Sequence, residues 1–429
     1  MKRRIGTILI FLLLMAPAAS ASPASPATPA TVASLSTDEA TRMVTDLMPK
    51  VEELRGLKFK HPVPVRVVQD AVAREHFKAR MKKYWPEAQV RAEQTAYTQL
   101  GLLPPGVDIE STLFSVLEEQ VGGYYDPEAD TFYVLGDMPR SFASVLMVHE
   151  LTHALDDQHY GIDRMIDAAK DDSDKSDAVG AVVEGSGTLV MSRYMFLEIT
   201  AGRMPADILV DLARTDAGRA EKLMASPQVL QRSLVASYVL GQTFILRGDL
   251  AKLALATPTA DLDRLFHDPP ASTEQILHPE KYWDDSAKDL PRVVTLADLS
   301  STLGEGWKLS GGGVLGELTI AVMTGAGTVD FKSIDAADPS HWTNEAASGW
   351  GGDRWQLYAN GDRRVTLLAT VWDSPSDANQ FEAALVTHEA GVSRRRWRQG
   401  DAVVLVAGDA GDRADAVAAA ALKETRGPN

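Results

Sequence analysis

The chain has 429 residues, of which 45% are hydrophobic and 24% are charged, and this is the composition of an ordinary globular protein. Its formal net charge of −16 argues against nucleic acid as a partner, because phosphate recognition requires clustered Lys and Arg. The chain has no cysteine, so it forms no disulfide, and any metal ion must be held by histidine and carboxylate side chains.

The first residues predict a secretory signal peptide at 1–21. Basic residues at 2–4 precede an apolar run at 5–15, and a small-x-small cleavage site follows at 19–21. The apolar run is about half of the ~20 residues needed to span a bilayer. We therefore expect an exported protein, periplasmic or secreted, with no stable membrane insertion after cleavage. Residues 22–37, rich in Ala, Pro, Ser and Thr, predict a disordered linker.

The next region is predicted to be mainly helical with a few short strands. Helical patterns occupy 38–57 and 68–84, with a shorter one near Tyr97, and 63–68 alternates like a strand. In 122–135, aromatic and β-branched residues flank an Asp-Pro-Glu-Ala-Asp turn, which predicts a β-hairpin.

A second group of helices follows this hairpin. The stretch 141–157 has no Pro or Gly and predicts a helix, while the acidic 156–177 predicts a surface loop with some helix. Helices are predicted at 175–200 and 221–250. The Pro-rich segment 267–283 predicts irregular structure with one capped helical turn.

After about residue 293 the pattern changes toward strands. Two alternating runs in 353–372 surround an Asn-Gly pair, which predicts a hairpin. The remaining predictions are a helix or strand at 316–323, helices at 376–390 and 412–424, and a strand at 401–408. Together these elements predict an α+β fold, with a mainly helical core and a small sheet at 38–298, and a smaller C-terminal α+β lobe at 299–429.

The most informative stretch is His149-Glu150-Leu151-Thr152-His153, which matches the H-E-x-x-H pattern. On a helix, positions i and i+4 lie on one face, so both imidazoles can hold one ion. Glu150 is offset by one residue and can accept a proton from a water that zinc activates. The pattern predicts a Zn²⁺ site with Glu150 as general base.

A catalytic zinc needs a third protein ligand and one open position. Glu184 is the only acid in 179–195, a stretch otherwise rich in Ala, Val, Gly and Leu. A buried carboxylate without a partner is costly, and coordination of a cation removes that cost. The alternative third ligands are Asp156, Asp157 and His159, which follow the second histidine too closely to turn back easily.

At this point the chain resembles the gluzincin metallopeptidases, in which a glutamate on a second helix completes the H-E-x-x-H site. Four segments carry a further resemblance to a bacterial group of gluzincin-like proteins: GGYYDPEADTFYVL, HELTHALDDQHY, VVEGSGTLV and PPASTEQILHPEKYW. The resemblance covers 122–283 and, more loosely, 349–355.

This resemblance implies a zincin-like fold for the core. It implies His149, His153 and Glu184 as zinc ligands and Glu150 as general base. It also implies that the strand at 131–135 borders the cleft, where a peptide could pair along its edge.

The sequence departs from the family pattern at one position. Many gluzincins carry an Asp four residues after the ligand glutamate, and here that residue is Thr188. Support for an imidazole must then come from elsewhere. Asp157, four residues after His153, is the candidate.

Such peptidases usually add a His or Tyr that stabilises the oxyanion. His278, in the Pro-bounded segment ILHPEKYW, is the first candidate for this catalytic role. Tyr282, Tyr238 and Tyr194 are the alternatives.

The leading hypothesis is an exported zinc-dependent metallopeptidase, by default an endopeptidase, acting on a peptide or protein substrate. The alternatives are a catalytically inactive zinc-binding scaffold or binding protein with a gluzincin-like fold, and a different metal hydrolase acting on esters or cell-wall peptides. A fourth protein ligand, such as His278 or Asp157, would favour the scaffold, and an open cleft would favour the enzyme. The sequence carries no signal for substrate specificity or oligomeric state.

Overall fold

The computed structural model of the chain describes residues 35–120, 122–136, 140–205, 221–331, 333–387 and 393–425. Within these ranges the fold is α+β, with a mainly helical core, a small sheet beside it and a larger sheet in the C-terminal lobe. The helices are α1 (Thr37–Arg55), α2 (Asp70–Tyr84), α3 (Glu87–Leu100), α4 (Ile109–Gln120), α5 (Arg140–Tyr160), α6 (Ile162–Ala169), α7 (Ser173–Thr200), α8 (Glu221–Ala225), α9 (Gln228–Ile245), α10 (Thr259–His267), α11 (Thr273–Leu277), α12 (Glu280–Trp283), α13 (Ser300–Leu303), α14 (Gly316–Met323), α15 (Pro375–Thr387) and α16 (Ala414–Glu424). The strands are β1 (Val65–Val68), β2 (Gly123–Asp126), β3 (Thr131–Leu135), β4 (Lys308–Gly313), β5 (Trp350–Asn360), β6 (Arg363–Trp372), β7 (Arg394–Gln399) and β8 (Ala402–Gly408).

The small sheet has the order β1–β3–β2, with β1 parallel and β2 antiparallel to β3. The prediction that the strand at 131–135 offers its edge to a peptide is wrong, because β3 is the central strand and pairs on both sides. β2 is an outer strand of this sheet. Phe132 and Val134 of β3 are fully buried in the same hydrophobic cluster as the apolar residues of α5.

Three helices, α5, α7 and α9, form the centre of the core. α5 is buried along most of its length and on all sides, as a helix in the middle of a protein must be. α7 crosses α9 at two glycines: a Cβ added at Gly185 would lie 2.5 Å from the carbonyl carbon of Gly241. Glycine at this crossing therefore sets how closely the two helices approach.

The larger sheet is antiparallel throughout, in the order β4–β5–β6–β8–β7. α15, α16 and, from the N-terminal half, α3 pack on this sheet. The contact with α3 is close: a Cβ added at Gly311 would lie 2.4 Å from the Cβ of Ala92. In the other direction, α14 packs against α7, α9 and α11. The predicted domain boundary at 298/299 stays a prediction. Elements from either side of it pack against each other: α3 on the larger sheet, and α14 on the core helices α7, α9 and α11.

Several predicted elements differ in the structure. The segment 156–177, predicted as a surface loop with some helix, is mostly helical, because α5 continues to Tyr160 and α6 follows at once, burying Ile162 and Ile166. The long helix predicted at 221–250 is interrupted at Pro227, which cannot continue a helix. The predicted signal peptide, most of the linker and the last residues of the helix predicted at 376–390 lie outside the described residues.

Candidate metal centre

The structure brings His149, His153 and Glu184 together. The two histidines lie one turn apart on α5, and their Nε2 atoms are 2.8 Å from each other. Glu184 comes from α7, and its Oε2 is 3.2 Å from His149 Nε2 and 3.5 Å from His153 Nε2. All three side chains are at most 1% exposed. Two histidines four residues apart on α5 and one buried acid on α7 therefore form a single cluster of three donor atoms.

These donors fit a zinc ion. Tetrahedral ligands at the usual zinc distance of about 2.0–2.1 Å lie roughly 3.3 Å from one another, and the three separations scatter around that value. Burial lowers the pKa of His153 to about 4. Burial and the neighbouring His153 lower the pKa of His149 to about 4 as well, against the opposing effects of Glu184 and the backbone of Gly187. Both imidazoles are therefore neutral at pH 7, which is the form that binds metal.

Gly187 gives the cluster its shape. A Cβ at this position would lie 2.8 Å from His149 Cε1 and 2.9 Å from His153 Cε1. The backbone of α7 thus packs directly against both imidazoles. Any larger residue would push them away from Glu184.

Glu150 follows His149 on α5, but its carboxylate makes its hydrogen bond outside the three-residue cluster. Its Oε2 accepts a hydrogen bond from the backbone N–H of Tyr125 at 2.6 Å, which ties α5 to β2. Burial raises the pKa of Glu150 well above the usual carboxyl value, and the negative charge of Glu184 acts in the same direction. The side chain is 1% exposed, so it is held in the interior beside the two histidines.

The alternative third ligands are all engaged elsewhere. Asp156 accepts hydrogen bonds from Arg55 and Ser186, and His159 Nε2 lies 2.8 Å from a backbone carbonyl of the segment after α1. Asp157 accepts from the hydroxyl of Tyr125 at 3.0 Å and from a backbone N–H at the start of α6. None of them belongs to the cluster formed by the described residues.

Asp157 does not support the imidazole of His153 either. Nδ1 of His153 has no hydrogen-bond partner among the described residues, so that prediction is wrong. Thr188, four residues after Glu184, is also buried, and its hydroxyl has no hydrogen-bond partner among the described residues. Both atoms lie too deep for solvent to reach them.

The four candidates for oxyanion stabilisation lie in different places. Tyr238 of α9 stacks on His149, with ring centroids 6.1 Å apart. His278 lines a separate cavity of about 720 Å³, where its Nε2 is 3.0 Å from the buried Glu317. Tyr282 donates to the carbonyl of Asp268, outside the cluster. Tyr194 lies on α7, ten positions beyond Glu184.

A second group of acids, Glu274, Asp289 and Asp373, also brings carboxylates close together. The ammonium of Lys281 lies among them, 2.7 Å from Glu274, 3.0 Å from Asp289 and 3.2 Å from Asp373. The ammonium of Lys281 therefore already occupies the centre of this group as its cation. Its role is to attach the segment around α12 to the end of β6.

A family model described as "Domain of unknown function (DUF8575)" matches residues 307–425, which run from the start of β4 to the end of α16. No curated protein matches the chain. No solved structure matches it. The matched region contains the larger sheet and does not include His149, His153 or Glu184.

Proposed function

We propose that this chain is an exported zinc-dependent metallopeptidase, with His149, His153 and Glu184 as zinc ligands and Glu150 as general base. One observation carries the proposal: the donor atoms of two imidazoles and one carboxylate, all buried, lie close together, and the charge of that carboxylate acts on the buried Glu150. Zincin-like folds use this set of side chains, and the donor separations suit zinc.

Each residue has a separate task in this proposal. His149 and His153 hold the ion from one side and Glu184 holds it from the other. Bound Zn²⁺ supplies a Lewis acid that polarises a carbonyl and lowers the pKa of water. Glu150 accepts the proton of the attacking water and passes it to the leaving amine. The hydrogen bond from the Tyr125 N–H fixes the orientation of the Glu150 carboxylate.

The arrangement of ligands favours an enzyme over a scaffold. A structural zinc site closes with four protein ligands, and the described residues provide three. His278 and Asp157, the proposed fourth ligands of a scaffold, are both engaged elsewhere. A hydrolase for esters or cell-wall peptides uses the same three ligands, so the choice of peptides as substrates rests on the resemblance of the sequence.

Among the candidates for oxyanion stabilisation, the geometry favours Tyr238. It is the one whose ring contacts a proposed ligand, and its helix crosses α7 close to Glu184. His278 was the first candidate from the sequence and stays a prediction. We propose testing Tyr238→Phe and His278→Gln side by side.

Export rests on the signal-peptide pattern at 1–21. Within the described part of the chain, none of the helices is long and apolar enough to cross a membrane. A peptide or protein substrate, rather than nucleic acid, is the partner that this proposal requires.

The test is peptide hydrolysis by the purified protein before and after chelation, with zinc added back. We expect activity on an unstructured protein such as casein, loss with chelator, and recovery with zinc. Glu150→Gln should keep stoichiometric zinc and lose at least about 100-fold in rate, the low end of the usual contribution of a general base. Glu53→Gln, an exposed acid on α1, is the matched control. Full activity of Glu150→Gln would end the general-base assignment, and a wild-type protein without zinc would end the whole proposal.

A further inference from the structure

A buried arginine connects the first helix to the helix that carries the histidines. Arg55, the last residue of α1, is 0% exposed, and its Nε donates to Asp156 Oδ1 at 2.7 Å. Its Nη1 donates to Asp263 at 2.8 Å. Arg55 and Asp156 are 101 positions apart in the sequence, so the contact depends on the tertiary fold.

Asp156 then connects α5 to α7. It follows His153 by three positions, so it lies about one turn further along the same helix. Its second oxygen, Oδ2, accepts a hydrogen bond from Ser186 Oγ at 2.7 Å. Ser186 lies between Glu184 and Gly187, which are the residues of α7 that meet the two imidazoles. The hydrogen bond therefore lies about one turn from the donor atoms.

A contribution to protein stability is a weak explanation for the buried ion pair of Arg55 and Asp156. A buried ion pair is often no more stabilising than apolar side chains of the same size, because desolvation cancels the attraction. Its hydrogen bonds do, however, select one relative position of the elements that they join. Here the joined elements are the two helices whose spacing decides whether His149, His153 and Glu184 converge.

We propose that Asp156, held by Arg55 and hydrogen-bonded to Ser186, is a positioning residue for the metal centre. It fixes the relative position of α5 and α7, and through it the separation of the imidazoles from the Glu184 carboxylate. The inference rests on the proposed function only in assuming that the cluster binds a divalent metal.

The test measures metal binding rather than catalysis, on the full chain. Three quantities are compared: the zinc dissociation constant from chelator competition, the visible spectrum of the Co²⁺-loaded protein, and the urea midpoint of the metal-free protein. Ser186→Ala and Asp156→Ala should weaken zinc binding about 10–100-fold and shift the Co²⁺ spectrum. Asp156→Asn keeps the shape and can keep both hydrogen bonds, so its Co²⁺ spectrum should stay close to wild type.

Asp263→Asn is the matched control, because it removes the other carboxylate that Arg55 contacts and leaves Asp156 and Ser186 in place. It should lower the urea midpoint without changing the Co²⁺ spectrum. If Asp156→Ala does not fold, Ser186→Ala still decides the question.

Wild-type zinc affinity and an unchanged spectrum in Ser186→Ala would overturn the proposal while leaving the metal site intact. An equal loss of affinity in Asp263→Asn would also overturn it, because the effect would then follow stability alone. A wild-type protein that binds neither metal would instead refute the metal site, and with it the proposed function.

Discussion

The contact between Gly187 and the two imidazoles leads to a sharp prediction for Gly187→Ala. The new Cβ would lie 2.8 Å from His149 Cε1 and 2.9 Å from His153 Cε1. Carbon atoms prefer about 3.5–4.0 Å, so each ring would have to retreat by roughly 0.6 Å or more. A metal site tolerates about 0.2 Å in its ligand distances. We therefore expect zinc affinity to fall by more than about 10-fold.

The same substitution should change stability much less. Alanine is better than glycine in a helix by about 1 kcal/mol, while overpacking of a core costs about 1–3 kcal/mol, so the two effects partly cancel. Gly185→Ala is the matched control, two positions earlier on α7. Its Cβ would lie 2.5 Å from a backbone carbon of Gly241, and helix backbone cannot move aside as a ring can. It should cost more stability and affect zinc binding less.

Two measurements decide the prediction: zinc affinity by competition with a coloured chelator, and urea unfolding of the metal-free variants. The expected result is a reversed order, with Gly187→Ala the worse zinc binder and Gly185→Ala the less stable protein. Wild-type zinc affinity in Gly187→Ala would refute the reasoning. So would a larger loss of affinity in Gly185→Ala than in Gly187→Ala.

Three further predictions concern the ligand Glu184, the acids around Lys281, and the pH dependence of stability that the two histidines cause. Glu184→Ala should lose stoichiometric zinc by elemental analysis while Asp289→Ala keeps it; equal zinc in both would remove Glu184 from the ligand set. Lys281→Met should lower the free energy of unfolding by about 2–4 kcal/mol, because it leaves buried acid uncompensated; a loss as small as that of the exposed control Lys288→Met would contradict this. The histidine pKa values near 4 lie below the usual 6.5, so the contribution of the imidazole pair to the stability of the metal-free protein is present above pH 6.5 and lost as the pH falls toward 4. Urea unfolding between pH 7 and 4.5 should therefore show a steeper loss in wild type than in His153→Gln, and parallel curves would exclude the effect.

The sequence predicted best those parts of the fold that depend on local chemistry. The hairpin predicted at 353–372 is confirmed as β5 and β6. Its two-residue turn is Gly361-Asp362, since Asn360 already pairs with Arg363, and Gly361 supplies the positive φ of 58° at the first turn position. The segment at 316–323, left open between helix and strand, is the helix α14. Asp353, on strand β5, stabilises the start of that helix. Its carboxylate accepts hydrogen bonds from the backbone N–H groups of Leu315 and Gly316. No local pattern could reveal that contact.

The same distinction holds for the candidate site. The i, i+4 spacing predicted two imidazoles on one face, and the single acid in an apolar helix predicted Glu184 beside them. Arg55 and Tyr125 were missed, since Arg55 is an ordinary helix-terminal residue in sequence and Tyr125 acts through its backbone N–H. The contact between His278 and Glu317 could not be predicted either, because Glu317 lies on α14 and only the tertiary fold brings the two side chains together.

The contact between Tyr125 and Glu150 bears on how a buried site could act on a peptide. β2 is an outer strand of the small sheet, and Tyr125 stands opposite Phe132 with its N–H pointing away from β3 toward Glu150. All four residues of β2 are buried, and Glu150 of α5 already occupies the outward N–H of Tyr125, so an extended peptide could pair with this edge only by displacing that contact.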